Sequence, residues 1–237
     1  ETVFKILKKK GKNKLSYFNQ IIKLLMQMQS IKQKKVKNFK NQNYTIPKYD
    51  KKILINEANL FCDWYVKNNL SKLRKKKFCK NFKKIIKDLT LKLKLKDNIF
   101  VHRDFHVSNL MSVKNQIGLI DSQDALIGNK AYDLASLIDD VRLKTSYSFK
   151  EKIFKFYIKK QKNLDIKKFK NDFEILSVLR NLKIIGIFTR LSLRDGKKKY
   201  IKLIPYTWEL INMRIKENEV FFDLKSLLSQ NFEKKIK

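Results

Sequence analysis

Apolar residues recur at three- and four-residue steps along most of the chain, and that spacing predicts helices. Over residues 14–30, Leu15, Phe18, Ile22, Leu25 and Met26 form one core-facing stripe. Residues 31–46 are polar and basic, which predicts a loop closed by Pro47. A second helix is predicted over about 51–68, with Leu54, Ala58, Phe61 and Tyr65 inward. A third follows over about 72–94, apolar at Phe78, Phe82, Ile85, Ile86, Leu89 and Leu91, with its lysine runs in water. The period then changes. Residues 98–101 read as a short strand, and Leu110 to Val113 and Gln116 to Ile120 flank Lys114-Asn115 as a β-hairpin. Helical spacing resumes near Ala131, with Tyr132, Leu134, Ala135, Leu137 and Ile138 on the buried side. It continues over 149–162 (Phe149, Ile153, Phe154, Tyr157) and over 171–193, where Arg180, Asn181 and Arg190 interrupt an apolar run. Arg194-Asp195-Gly196 reads as a stop signal, followed by helices over 205–217 and 220–231. The expected class is α+β, mainly α, with a small β-hairpin in its middle.

Composition changes this picture in two places. With 237 residues and 43% hydrophobic content the chain can bury a sizeable core, as one large domain or two small ones. Its longest apolar runs are far short of a membrane span, so no membrane partner is expected. The formal charge is +34, yet only seven of the 56 basic residues are arginine. Asn, Ile and Phe are abundant and Gly and Pro scarce, a usage that AT-rich codons produce by themselves. The lysines are spread along helices rather than gathered in one arm, which reads as a solvated surface, and nucleic acid is not the expected partner. Cys62 and Cys79 form no Cys-x-x-Cys pair and no Cys/His cluster, so neither zinc nor a disulfide framework is expected, and a reducing cytoplasm fits.

The candidate chemistry lies where the apolar period changes. The only two histidines sit in one run, His102-Arg103-Asp104-Phe105-His106-Val107-Ser108-Asn109, and Asp121 ends the apolar stretch twelve residues later. His-Arg-Asp-x-x-x-x-Asn is the catalytic-loop pattern of kinases, in which the Asp positions a substrate hydroxyl and the Asn holds Mg²⁺. Asp104 is the expected catalytic residue, and Asn109 and Asp121 are the expected metal ligands, which the hairpin brings to one edge. From His102 to Arg142 there are six Asp, no Glu and four basic residues, an acidic segment inside a basic chain. Gathered carboxylates suggest a bound cation. His102 and Arg103 are expected to support the site structurally, and His106 is left without an assigned role. Asp133, in the first turn of its helix, is expected to favour the helix dipole and bond exposed amides. There is no Asp-Phe-Gly and no Ala-Pro-Glu, and a helix begins within about ten residues of Asp121. No room remains for a peptide-binding platform, so a small-molecule kinase is expected.

Asp104, Asn109, Asp121 and the helix start Tyr132-Asp133-Leu134-Ala135 resemble the aminoglycoside phosphotransferase/choline kinase family. Within it, three stretches are similar to the bacterial anomeric N-acetylmuramate/N-acetylglucosamine kinases: His102 to Phe105, Leu119 to Ala125 and Arg180 to Leu191. Arg194 to Lys197, Ile204-Pro205 and Glu57 to Tyr65 continue the resemblance, which covers nearly the whole chain. Ser122 departs from it, standing where the family usually has an aromatic residue. That weakens packing behind the metal site without removing a ligand.

The resemblance implies the carboxy-terminal lobe of a protein-kinase-like fold, spanning residues 1–237. A Gly-rich loop and a strand-borne Lys are not found before the catalytic loop, so the amino-terminal ATP-binding lobe is expected to be absent from this stretch of a longer protein. The chain by itself is expected to be inactive. ATP and Mg²⁺ are the implied cofactors, and the implied reaction phosphorylates the anomeric hydroxyl of an N-acetylated amino sugar in cell-wall recycling. Asp124, Glu57, Arg180 and Asn181 are the candidate substrate-binding residues. Aminoglycosides are polycations and want an acidic pocket, whereas this chain is poor in acids outside the metal site; a neutral or carboxylate-bearing sugar fits better. The alternatives are a choline-, homoserine- or aminoglycoside-like substrate, or an inactive basic relative that binds nucleic acid.

Overall fold

The computed structural model describes residues 1–9, 14–114, 116–216 and 218–236. In chain order the elements are α1 (Val3–Lys8), α2 (Lys14–Gln29), β1 (Lys35–Lys37), β2 (Asn43–Thr45) and α3 (Lys51–Leu60). A π-helical turn (Phe61–Val66) leads into α4 (Lys67–Asn69), then α5 (Lys72–Leu91), β3 (Asp97–Val101), β4 (Leu110–Val113), β5 (Gln116–Leu119) and β6 (Leu126–Asn129). The chain ends with α6 (Tyr132–Ile138), α7 (Tyr147–Lys159), α8 (Ile166–Leu193), α9 (Ile204–Ile215) and α10 (Phe222–Asn231). It is mainly helical with small antiparallel sheets. Two compact units divide it: Glu1–Asp50 with Lys94–Phe173, and Lys51–Leu93 with Glu174–Lys237.

In the first unit α2 buries Phe18, Ile21, Ile22, Leu25 and Met28. The expected stripe is corrected at its edges: Leu15, in the first turn, is 40% exposed, and Met26 is only half-buried. The expected loop over 31–46 contains an antiparallel ribbon of β1 on β2, with Lys35 opposite Thr45. All six of its strand residues are exposed, so no apolar alternation marked it. Its turn is held by Asn38 Oδ1, which accepts from the backbone amides of Lys40 and Gln42. The hairpin of β4 and β5 forms as expected, with Leu110 opposite Leu119; its Asn115 lies outside the described residues. β3 pairs antiparallel with β6, a strand over a stretch to which the sequence assigned no element. A Cβ at Gly128 would meet the Tyr49 Cβ at 2.9 Å, so this ribbon lies tight against Tyr49. The Asp172 carboxylate is fully buried and accepts from the amides of Lys94 and Leu95, at 2.8 Å each, and from Asn129 Nδ2 at 2.7 Å.

The second unit is built on aromatic packing. Phe61 lies 5.3–6.1 Å, ring centre to ring centre, from Tyr65, Phe78, Phe82, Trp208 and Phe232. The π turn lets Phe61, Cys62, Tyr65 and Val66 all face inward. The second expected helix is therefore not one uninterrupted α-helix, although Leu54, Ala58, Phe61 and Tyr65 are buried as expected. α5 stops at Leu91, which is exposed, short of the expected residue 94. α8 begins at Ile166, five residues early, because the Asp165 carboxylate accepts the Lys168 amide as a cap. Gly196, at φ 65°, follows α8 at the expected stop. Of the expected 205–217 helix, Glu217 lies outside the described residues.

Gly186 of α8 packs directly on the end of α3. A Cβ there would lie 2.4 Å from both the carbonyl carbon and the carbonyl oxygen of Leu60, backbone atoms that cannot step aside. Gly186→Ala is therefore expected to destabilise the protein by about 1–3 kcal/mol, as overpacking does. A urea midpoint unchanged from wild type would contradict this packing.

Candidate active site

The site belongs to the first unit and starts where β3 ends. The ladder of β3 on β6 ends with Val101 opposite Leu126, and the chain turns through His102–Asn109 before β4 begins. Two buried carboxylates hold this loop by its backbone. Asp133 accepts from the amides of His102 (2.7 Å) and Arg103 (3.0 Å), and Asp140 accepts from Val107 (3.1 Å). Asp140 also accepts the Arg142 amide and pairs with its guanidinium at 3.3 Å. The expectation for Asp133 is corrected on one point: the amides of His102 and Arg103 that it bonds belong to the His102–Asn109 loop, not to its own helix. Asp139, beside Asp140, is buried in an ion pair with Lys150 at 3.2 Å. Three of the six gathered Asp thus hold the scaffold.

The loop bends sharply at Arg103, with φ 72°, and the chain repeats that conformation at Asp121, with φ 71°. Left-handed backbone at a non-glycine residue costs on the order of 1–3 kcal/mol and persists where its surroundings over-determine it. Arg103 is held by its amide on Asp133, by Nη1 donating to the Asp124 carbonyl at 3.2 Å, and by its guanidinium 5.3 Å over the Tyr49 ring. Asp121 receives Gln123 Nε2 on Oδ1 at 2.7 Å and Asn109 Nδ2 on Oδ2 at 3.4 Å.

Asn109 joins the parts. Its Nδ2 also donates to the Asp104 carbonyl at 3.1 Å, and its own carbonyl accepts the Ile120 amide at 3.0 Å. The hairpin therefore sets Asn109 and Asp121 side by side, one before β4 and one just after β5. With both acceptors taken by Nδ2, the amide oxygen Oδ1 is the group of Asn109 that remains to accept. Together with the exposed Asp121 carboxylate it makes a pair of hard oxygen donors, the set that suits Mg²⁺, which keeps several waters and takes few protein ligands. Among the described residues no group of three or more His, Cys, Asp or Glu is arranged to hold a metal, so the pair would need oxygen ligands from outside the protein. Asp104 is half-buried beside it, and the Asp124 side chain is exposed.

His102 is fully buried and its Nε2–H donates to the Ile120 carbonyl at 3.0 Å, tying the loop to the residue before Asp121. Burial holds its pKa below the ordinary 6.5, against the pull of the Ile120 carbonyl and of the Asp104 and Asp121 charges. The folded ring is therefore neutral where the unfolded one begins to take a proton. Its contribution to stability is complete above pH 6.5 and is lost as pH falls below that value towards the folded pKa. Urea midpoints measured between about pH 5 and pH 8 should fall on the acid side. The decline should be shallower in His102→Gln, whose amide can still donate to Ile120 but does not titrate.

The remaining expected residues, Glu57, Arg180 and Asn181, lie in the second unit. Glu57 is in an ion pair with Lys183 at 2.9 Å. Arg180 and Asn181 are buried in α8, and Arg180 Nη1 and Asn181 Oδ1 have no hydrogen-bond partner among the described residues. Three residues went unassigned in the sequence. Gln123 lies only two positions from Asp121, and a short amide beside a candidate ligand was a readable signal. Asp140 and Asp139 could be counted as acids in a basic chain, but their partners could not be read.

Residues 14–163 match the phosphotransferase enzyme family. The chain is 35% identical over 166 residues to the N-acetylmuramate/N-acetylglucosamine kinase of Neisseria meningitidis serogroup B, covering 68% of this chain and 50% of that one. It is 30% identical over 191 residues to the protein of the same name in Pseudomonas aeruginosa, covering 78% and 56%. With that of Caulobacter vibrioides it shares 32% over 120 residues, covering 48% and 33%. The chain thus spans about half the length of the first two of these relatives, and a smaller part of the third. No described helix is long and apolar enough to cross a membrane.

Proposed function

Since this chain belongs to the phosphotransferase enzyme family, we propose that it forms the catalytic and substrate-binding lobe of an ATP-dependent kinase acting on the anomeric hydroxyl of an N-acetylated amino sugar. The observation that carries this reading is Asn109 Nδ2, which reaches the Asp104 carbonyl at 3.1 Å and the Asp121 carboxylate at 3.4 Å. One proposed metal ligand thereby bonds both the backbone of the proposed base and the carboxylate of the other proposed ligand. The names of the relatives support the sugar as substrate.

In this reading the Asp104 carboxylate accepts the hydrogen bond of the sugar 1-hydroxyl, orients it and takes its proton. Asn109 Oδ1 and the Asp121 carboxylate would hold Mg²⁺, which supplies charge neutralisation on the phosphates of ATP. Asp133 and Asp140 keep the loop's backbone fixed, so that little reorganisation accompanies the proton transfer. Gln123 holds the Asp121 carboxylate in place. Arg180 and Asn181, within the second unit, are proposed as ligand-binding groups by themselves: a buried guanidinium nitrogen and a buried amide oxygen with no hydrogen-bond partner among the described residues are costly unless a ligand completes them. Glu57 acts through its pair with Lys183, and Asp124 through the carbonyl that holds Arg103.

The test is a substrate panel with the full-length protein, ATP and Mg²⁺: N-acetylmuramate, N-acetylglucosamine, choline, homoserine and an aminoglycoside. Phosphorus NMR should report an anomeric sugar phosphate from the amino sugars alone. Turnover confined to choline, homoserine or the aminoglycoside would sink the sugar assignment.

A further inference from the structure

The ribbon between α2 and α3 has no part in phosphoryl transfer. Every residue over 31–45 is exposed, although β1 and β2 pair in register, with Val36 opposite Tyr44 and Lys37 opposite Asn43. The ribbon therefore stands out from the first unit with neither face covered. Lys32, Lys34, Lys35, Lys37, Lys40 and Lys48 lie on it or beside it, and no acidic residue occurs between Glu1 and Asp50. Lysines spread along helices read as a solvated surface; these six gather on one arm instead. Two rings accompany them. Phe39, in the turn, is 93% exposed, and Tyr44 on β2 is 49% exposed. Lys40 Nζ lies over one face of the Phe39 ring, 5.6 Å from its centre, which leaves the other face open.

We propose that the β1–β2 ribbon binds single-stranded RNA without preference for its sequence. This inference stands apart from the kinase reading. The lysines neutralise phosphates along the strand, and the Phe39 and Tyr44 rings each take an unstacked base. A duplex keeps its bases stacked on one another and offers the rings nothing, so the strand is single. No arginine occurs before Arg74, so the ribbon lacks the fork that reads base edges, and the sequence of the strand is left free. The exposed amides of Asn41 and Asn43 suit the ribose 2′-hydroxyl, which is both donor and acceptor, and this favours RNA over DNA. Two other occupants fit less well. A second copy would set lysines against lysines. The hydrocarbon of a bilayer cannot satisfy the N–H and C=O groups on the outer edges of a two-stranded ribbon, whereas phosphates, hydroxyls and water can.

The experiment follows the fluorescence anisotropy of a labelled oligo(U) of about ten nucleotides on titration with the full-length protein, between about 50 and 200 mM salt. Wild type is expected to bind, with affinity falling steeply as salt rises. Phe39→Ala and Tyr44→Ala should each weaken binding by at least about 5-fold at fixed salt, the loss of one stacked base. Lys35→Gln combined with Lys37→Gln should make the salt dependence shallower. Lys76→Gln combined with Lys80→Gln, on the exposed side of α5, removes the same charge and should weaken binding far less than the ribbon pair. Urea midpoints should match wild type throughout, since every substituted residue is exposed. The proposal is overturned if the full-length protein does not bind oligo(U), if the ring variants bind as wild type does, or if the α5 pair weakens binding as much as the ribbon pair. It is equally overturned if oligo(dT) or phosphatidylglycerol vesicles compete better than unlabelled oligo(U).

Discussion

Asp104→Ala in the full-length protein is expected to lower amino-sugar phosphorylation by about 10²–10⁴-fold, the range a positioned general base contributes. The argument is geometric. Asp104 sits between the two ends of a loop whose backbone is pinned by Asp133 on one side and Asp140 on the other. Only its carbonyl is needed by Asn109, and alanine keeps that carbonyl. The substitution therefore removes the carboxylate and leaves the loop standing. The urea midpoint should stay near that of wild type, while turnover collapses. Near-normal turnover in this variant would remove Asp104 from the chemistry and the kinase reading with it.

Asp133→Ala should do the opposite and strike the fold. Its carboxylate is 1% exposed and accepts two loop amides, at 2.7 and 3.0 Å. An amide left buried without an acceptor costs about 1–3 kcal/mol. The His102 amide is fully buried and bears that cost in full, and Arg103 loses one of the supports of its left-handed backbone. We expect a clear drop in urea midpoint, and a fall in turnover because Asp104 follows directly in the chain. Asp133→Asn retains one acceptor oxygen but turns an NH₂ towards an amide donor, so it should lie between alanine and wild type. A stability equal to wild type in Asp133→Ala would show that the loop is held by something else.

The two variants separate what was legible in the sequence from what was not. Asp104, Asn109 and Asp121 could be picked out because they belong to a short pattern and a hairpin, both local. The helices could be read for the same reason: a stripe such as Leu54, Ala58, Phe61 and Tyr65 repeats within a few residues. Failures follow one rule. Leu15 continues the stripe of α2 but lies in its first turn, where burial depends on what packs there. The β1–β2 ribbon buries none of its strand residues, so no apolar alternation announced it. β6, over a stretch to which the sequence assigned no element, becomes a strand only because β3 is beside it. The π turn was hidden because an apolar step of three or four residues suits either winding.

By itself the sequence determined the helical class, the hairpin and the loop that carries the candidate chemistry, since periodicity and spacing act over a few residues. Only the tertiary structure decided what Asp133, Asp140 and Asp139 do. Asp133 lies 31 residues from the amide it holds and Asp140 lies 33 from its own. A buried carboxylate takes whichever donors folding brings to it, because leaving either partner unpaired costs more than any local preference gains.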